Sequence, residues 1–200
     1  MNEPNLILPN RVVSNAIANK KRLYFLAGPI RGAIDWQQYA YKLLTAIDPG
    51  CYVACPRRYE ESHEIYQFAM AGESGRPYVS QTHWERHYME LASHMGSIIF
   101  WLLLEDSVNP RKREEGPYAQ DTYGELGRWG VRSGKKIGYL NSAMQEPIVN
   151  IVVGAEPEFP GLNVIRKNLS LDHGYDFPIY ETLEETIYQA VSKSIKTNSR

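Results

Sequence analysis

Cysteine is scarce in this chain of 200 residues, which has only Cys51 and Cys55, and so few exclude a disulfide scaffold of the secreted kind. Their spacing is neither a redox C-x-x-C nor half of a zinc site, so both are expected to be buried apolar side chains. An excess of one charge is also lacking: 22 Lys and Arg against 23 Asp and Glu leave a formal net charge of −1. Bulk electrostatics therefore favour neither a nucleic-acid polymer nor a membrane surface as partner, while small polar ligands stay open. No apolar run approaches the roughly 20 residues that span a bilayer, and no apolar stretch precedes a small-residue cleavage site, so a cytoplasmic location is expected. His63, His83, His87, His94 and His173 are scattered, and His83 and His87 lack the H-E-x-x-H pattern, so neither a metal nor an organic cofactor is expected. Glycines at 28 and 32 alone meet neither the dinucleotide fingerprint nor the P-loop.

What is present suits one well-buried domain. The hydrophobic fraction is 43%, and 200 residues are too few for two comfortable domains. Residues 1–21 carry Pro4, Pro9 and little periodicity, so they are expected to form an arm or loosely packed extension ahead of a domain spanning 22–200. Leu23 to Ala27 form an unbroken apolar run, as in a strand covered on both faces, and Gly28-Pro29 stops it. Trp36, Ala40, Leu43, Leu44 and Ile47 then recur at helical spacing. Arg31 and Gly32 thus lie near a helix start, where an anion could be held; an ordinary turn with a solvated arginine is the alternative.

Further along, residues 51–55 are expected as a strand running into Pro56-Arg57-Arg58, which places cations at a strand's carboxyl end. Residues 59–70 are expected as a short helix. A stronger helix follows, with an apolar stripe of Trp84, Tyr88, Leu91, Ala92 and Met95 and a capping box at Thr82-x-x-Glu85. The run 97–104 is expected as an interior strand, and 105–120 as an irregular connection of the length often found in lids and binding loops. Residues 121–131 are expected as a helix, 135–141 and 147–153 as strands, 163–167 as an edge strand, and 182–195 as a terminal helix opened by Thr182-x-x-Glu185. This alternation argues for a single-domain, doubly wound α/β fold: a mostly parallel five-stranded sheet with helices on both faces, flavodoxin-like or Rossmann-like.

Acidic residues Asp121 and Glu125 follow the most hydrophobic strand and are expected at the ligand edge of the sheet. Glu125, expected in the first helical turn, would interact favourably with the dipole and stay ionised, which suits nucleophilic attack. Thr122-x-x-Glu125 also has the form of a capping box, and spacing alone leaves both roles open.

Taken together and in order, these short motifs resemble the nucleoside 2-deoxyribosyltransferase-like family, which includes deoxynucleoside 5′-monophosphate N-hydrolases. Tyr24-Phe25-Leu26-Ala27-Gly28 resembles the family's opening Y-F-x-x-G strand, and Gly28-Pro29-Ile30-Arg31-Gly32 is similar to the G-S-I-R-G turn of the hydrolases. Ala54-Cys55-Pro56-Arg57-Arg58 and Gln81-x-x-Trp84-Glu85 are similar to an N-P-R-R strand end and a Q-x-x-W-E helix start. Gly124-Glu125-Leu126-Gly127 resembles the x-E-L-G segment that carries the nucleophile. Pro29 and Ala33 depart from the serine and second glycine of the hydrolase turn. The resemblance implies that Glu125 attacks C1′ of a 2′-deoxyribosyl group and that Tyr24 orients its carboxylate. Glu85, Glu90 and Asp121 are the candidates for an acid near the leaving base, and Glu85 is the one chosen. Gly28, Pro29, Ile30, Arg31, Gly32, Arg57, Asp121 and Gly124 would bind a nucleoside or nucleotide in a homo-oligomer. A non-catalytic nucleotide sensor using Arg31, Arg57 and Arg58, and a hydrolase of another N-glycoside such as a ribonucleotide or NAD-like compound, are the alternatives.

Overall fold

A computed structural model describes residues 5–9, 11–13, 21–75, 78–134 and 149–198. In chain order its elements are β1 (Leu6–Ile7), β2 (Arg11–Val12), β3 (Leu23–Ala27), α1 (Trp36–Ile47), β4 (Tyr52–Ala54), β5 (Glu73–Ser74), α2 (Gln81–Met95), β6 (Ser97–Leu102), α3 (Gln120–Ser133), β7 (Ile151–Ala155), α4 (Leu162–His173), β8 (Ile179–Tyr180) and α5 (Leu183–Asn198). Six strands form the central sheet in the order β1-β4-β3-β6-β7-β8, and every pairing in it is parallel. β2 and β5 form a separate antiparallel pair. The architecture is α/β and compatible with a Rossmann-like or flavodoxin-like fold, with six described strands where five are expected.

Period-two alternation assigns the side chains to two cores. Leu23, Phe25 and Ala27 of β3, with Ile98, Phe100 and Leu102 of β6, pack under α2, α3 and α4. Tyr24, Leu26, Ile99 and Trp101 face the other way, against α1 and α5. Both faces are therefore covered, which is why these strands show no polar alternation in sequence. Cys51 and Cys55 are free and buried, as expected.

Several expectations require correction. Leu6 and Ile7, in the segment expected to be a loose arm, are fully buried and pair with Val53 and Ala54 at the sheet edge. Residues 163–167 belong to α4 rather than an edge strand; Ile165 and Leu169 recur at helical spacing on its buried face. Of the expected helix at 59–70, only one 3-10 turn, Glu64–Gln67, forms. The strand expected at 135–141 lies outside the described residues, as do the first residues of 147–153, whose strand runs instead from Ile151 to Ala155. Among the described residues, no helix is long and apolar enough to cross a membrane.

Candidate functional site

The chain passes from β3 outward to β4, then back across β3 to β6, so the connections after β3 and β6 diverge at the carboxyl edge of the sheet. Ligands of open α/β sheets bind in such a crevice. A cleft of about 990 Å³ lies there, with Phe25 and Ala27 lining it from β3. Gly28, Pro29, Ile30 and Arg31 come from the β3–α1 turn, Pro56 and Arg58 from the end of β4, and Glu85 and Met89 from α2. Asp121, Gly124, Glu125 and Trp129 come from α3.

Local structure explains why the two helices present carboxyls here. α2 is capped by Ser80, whose side chain accepts from the His83 N–H, so Thr82 is not the cap and Glu85 lies beyond the first turn. Gln81, Glu85 and Met89 then follow at four-residue intervals along one face of the helix. Gln81 steadies the site by donating from Nε2 to the Pro56 carbonyl at 2.9 Å and to Glu85 Oε1 at 2.8 Å. α3 begins at Gln120 after Ala119, which has a left-handed φ of 56° and provides no side-chain cap. Thr122 is therefore a buried residue inside the helix, not a cap, and Asp121, Gly124, Glu125 and Arg128 share the face that lines the cleft.

This start moves Glu125 out of the first turn and changes its electrostatics. Burial pushes its carboxyl up from an ordinary 4.5 to about 8, and the negative charges of Glu85 and Asp121 add to the rise. Among the described residues no hydrogen bond reaches it. The expectation of a carboxylate kept ionised by the helix dipole is corrected: one turn in, desolvation outweighs the dipole. Glu85 is also raised, by burial first and then by Asp121, against the Gln81 hydrogen bond and the charge of Arg58. Burial thus favours the protonated form of both carboxyls, most strongly that of Glu125.

Tyr24 is the largest correction. Its side chain faces the opposite core, and its hydroxyl donates to Asp48 Oδ2 at 3.1 Å. Asp48 is buried and also accepts from Arg22 Nη2 at 2.6 Å. Adjacent strand residues point to opposite faces, so Phe25, not Tyr24, faces the cleft that Glu125 lines.

Arg57 likewise turns away, its Nη1 contacting the Gln37 Oε1 at 3.4 Å and the Ile34 carbonyl at 3.5 Å; Arg58 takes the place in the cleft. Gly32 does not line the cleft but admits a neighbouring loop. With φ at 72°, it has the Arg111 backbone nitrogen 2.4 Å from where a Cβ would stand, and its carbonyl accepts from the Asp106 N–H at 2.8 Å. Arg31 does reach the site, 3.3 Å from Asp121 Oδ2 and 3.7 Å from Glu115 Oε2.

The loop between β6 and α3 contributes what sequence reasoning missed. It is held by Tyr118, whose hydroxyl donates to the Leu103 carbonyl at 2.8 Å, and by Glu105, which accepts from the Arg111 N–H at 2.7 Å. Arg111 thereby lines the cleft, with Nη2 bonded to the Glu115 carbonyl and its buried Nε without an acceptor among the described residues. Arg86 and Arg128 also line the cleft. The intervals Gln81-Glu85-Met89 and Asp121-Glu125-Arg128 were the available signals, since each sets polar groups along one helical stripe. Among the described residues, no group of His, Cys, Asp and Glu is arranged to hold a metal ion. No protein-family model matches the chain, and no curated protein matches it.

Proposed function

We propose that the protein cleaves or exchanges the N-glycosidic bond of a 2′-deoxyribonucleoside or its 5′-monophosphate, with Glu125 as nucleophile and Glu85 as acid. One observation carries this reading: two glutamates from different helices line one cleft, and burial and neighbouring carboxylates raise both of them. A carboxylate with a neighbouring carboxylic acid is the pairing used by retaining glycosidases.

In the reactive form the proton resides on Glu85 and Glu125 is ionised. A Glu125 oxygen attacks C1′, the C1′–N bond breaks with its electron pair going to the base, and Glu85 protonates the leaving nitrogen. A glycosyl ester of Glu125 results. Water or a second base then attacks C1′, Glu85 takes the attacking group's proton, and the ester bond breaks to restore the Glu125 carboxylate. Arg111 Nε, which has no acceptor among the described residues, with Arg31 adjacent to its loop, supports an anionic 5′ group on the substrate. Tyr24 has no part in this scheme. The resemblance further implies a homo-oligomer, which sedimentation of the purified protein measures directly.

The test is intact-protein mass spectrometry of wild type and Glu125→Ala after mixing with deoxynucleosides and their monophosphates, with chromatography for free base. Base released by wild type alone, with a deoxyribosyl mass added to the protein, is the expected result. Ligands that bind but stay intact would favour the sensor reading, and turnover only of ribonucleotides or NAD-like compounds would shift the substrate to another N-glycoside.

A further inference from the structure

Gln81 opens α2 and lines the cleft one helical turn before Glu85. Its amide serves two acceptors at once: Nε2 donates to the Pro56 carbonyl at 2.9 Å and to Glu85 Oε1 at 2.8 Å. A carbonyl can only accept, so the amide must present its nitrogen to Pro56, and the second hydrogen of that nitrogen meets Glu85. Pro56 follows β4 and Glu85 belongs to α2, so this one amide fixes the carboxyl relative to the sheet. Among the described residues, Glu85 Oε2 and both oxygens of Glu125 have no hydrogen-bond partner. The two carboxyls therefore differ, since Glu85 is tethered through one oxygen and Glu125 through neither.

A proton on Glu85 Oε1 would confront the amide N–H donor to donor, so a protonated Glu85 carries its proton on Oε2. When that proton leaves, negative charge spreads onto Oε1, and the Gln81 hydrogen bond strengthens because one partner is now ionised. We propose that Gln81 is a positioning residue for Glu85, which fixes Oε2 as the proton-bearing oxygen and stabilises the carboxylate left when the proton is given up. The destination of that proton, the leaving nitrogen of a base, rests on the glycosidic reading of the site, whereas the tether does not. The charged groups acting on Glu85 are Asp121 of α3, which raises it, and Arg58 after β4, which lowers it. Glu125 of α3 faces it as well and is raised by its charge, and Asp121 lies 3.3 Å from Arg31. None of these four is hydrogen-bonded to Gln81, so replacing Gln81 removes the amide's contribution and leaves theirs in place.

NMR titration of isotope-labelled glutamate carboxyls, with the Glu85 signal identified by its loss in Glu85→Gln, tests the tether without turnover. Gln81→Met keeps the length of the side chain and removes both N–H groups. The Glu85 midpoint is expected to rise by about one pH unit or more in Gln81→Met, and in wild type the Gln81 side-chain amide signals should shift with the Glu85 midpoint. A midpoint unmoved by Gln81→Met, or wild-type amide signals indifferent to the titration, would overturn the proposal. Kinetics address the acid role. For release of guanine from 2′-deoxyguanosine 5′-monophosphate, kcat should fall about tenfold or more in Gln81→Met, and the acid limb of kcat/KM should move up with the Glu85 midpoint. The 7-methyl derivative of that nucleotide carries a cationic base that leaves neutral without a proton, so the loss on it should be several-fold smaller. Equal losses on both nucleotides would make Gln81 a structural support only and overturn the proposal. No base released by wild type from any deoxynucleoside or its monophosphate, with the NMR shifts as expected, retires the glycosidic reading and leaves the Gln81 tether standing.

Discussion

Glu125 carries the heaviest electrostatic load in the cleft, and its burial makes two measurements informative. An unfolded glutamate loses its proton near 4.5, while Glu125 in the folded chain loses it near 8. Between those values the folded state holds a proton that the unfolded state lacks. The stability this group contributes is therefore fully present below pH 4.5 and is lost as pH rises through 8. Glu125→Gln removes that dependence. Its melting temperature should match wild type near pH 4.5 and exceed it at pH 8.5, by roughly 8–16 °C for about 4 kcal/mol recovered; a wild-type margin that persists at pH 8.5 would count against the buried carboxyl. For catalysis, the form holding one proton between Glu85 and Glu125 is active, so kcat/KM should be bell-shaped in pH. The acid limb lies above the ordinary 4.5 because Glu85 is raised, and the basic limb lies near 8, where the last proton leaves. A profile flat from pH 5 to 9 would contradict shared protonation.

At the scale of elements, helix starts and strand pleats decide which groups meet. The residue types of the x-E-L-G stretch were legible in sequence, and so was its helix. The start of that helix was not, because Ala119 in a left-handed conformation has no capping side chain to announce it. A cap position three residues earlier than Thr122 moved the expected N-terminal carboxylate into the helix, where it is desolvated. Thr182 shows the opposite case: its hydroxyl does accept from the Glu185 N–H at 3.2 Å, as its box predicts. Gly28 is the hinge between β3 and the cleft wall. A Cβ there would stand 2.4 Å from the Trp101 carbonyl oxygen and 2.8 Å from the Trp36 ring. Gly28→Ala should lose about 1–3 kcal/mol and weaken nucleotide binding by displacing Pro29 and Ile30, which chemical denaturation and calorimetry measure together. Unchanged stability would mean that the strand end yields freely.

For the molecule as a whole, the site depends on a sheet that gains its edge from the beginning of the chain. Ile7 packs with Phe25, Ala54 and Trp84 in the core beneath the cleft, and Leu6 packs with Tyr24 and Val53 in the other. Ile7→Ala should therefore cost about 2–4 kcal/mol despite its place in a polar, proline-containing segment. A denaturation midpoint unchanged from wild type would restore the loose-arm reading.

Composition and period determined the α/β class, the buried strands and the main helices, because each of those depends on residues within a few positions of one another. The carboxyl-edge position of the acidic residues followed from the same local alternation. Tertiary structure alone decided that Tyr24 joins Asp48 in the opposite core, that Arg58 replaces Arg57, and that Arg111 arrives from the loop after β6. It also decided the raised carboxyl of Glu125, since its burial and the charge of Glu85, forty residues away in sequence, are properties of packing that no local pattern encodes.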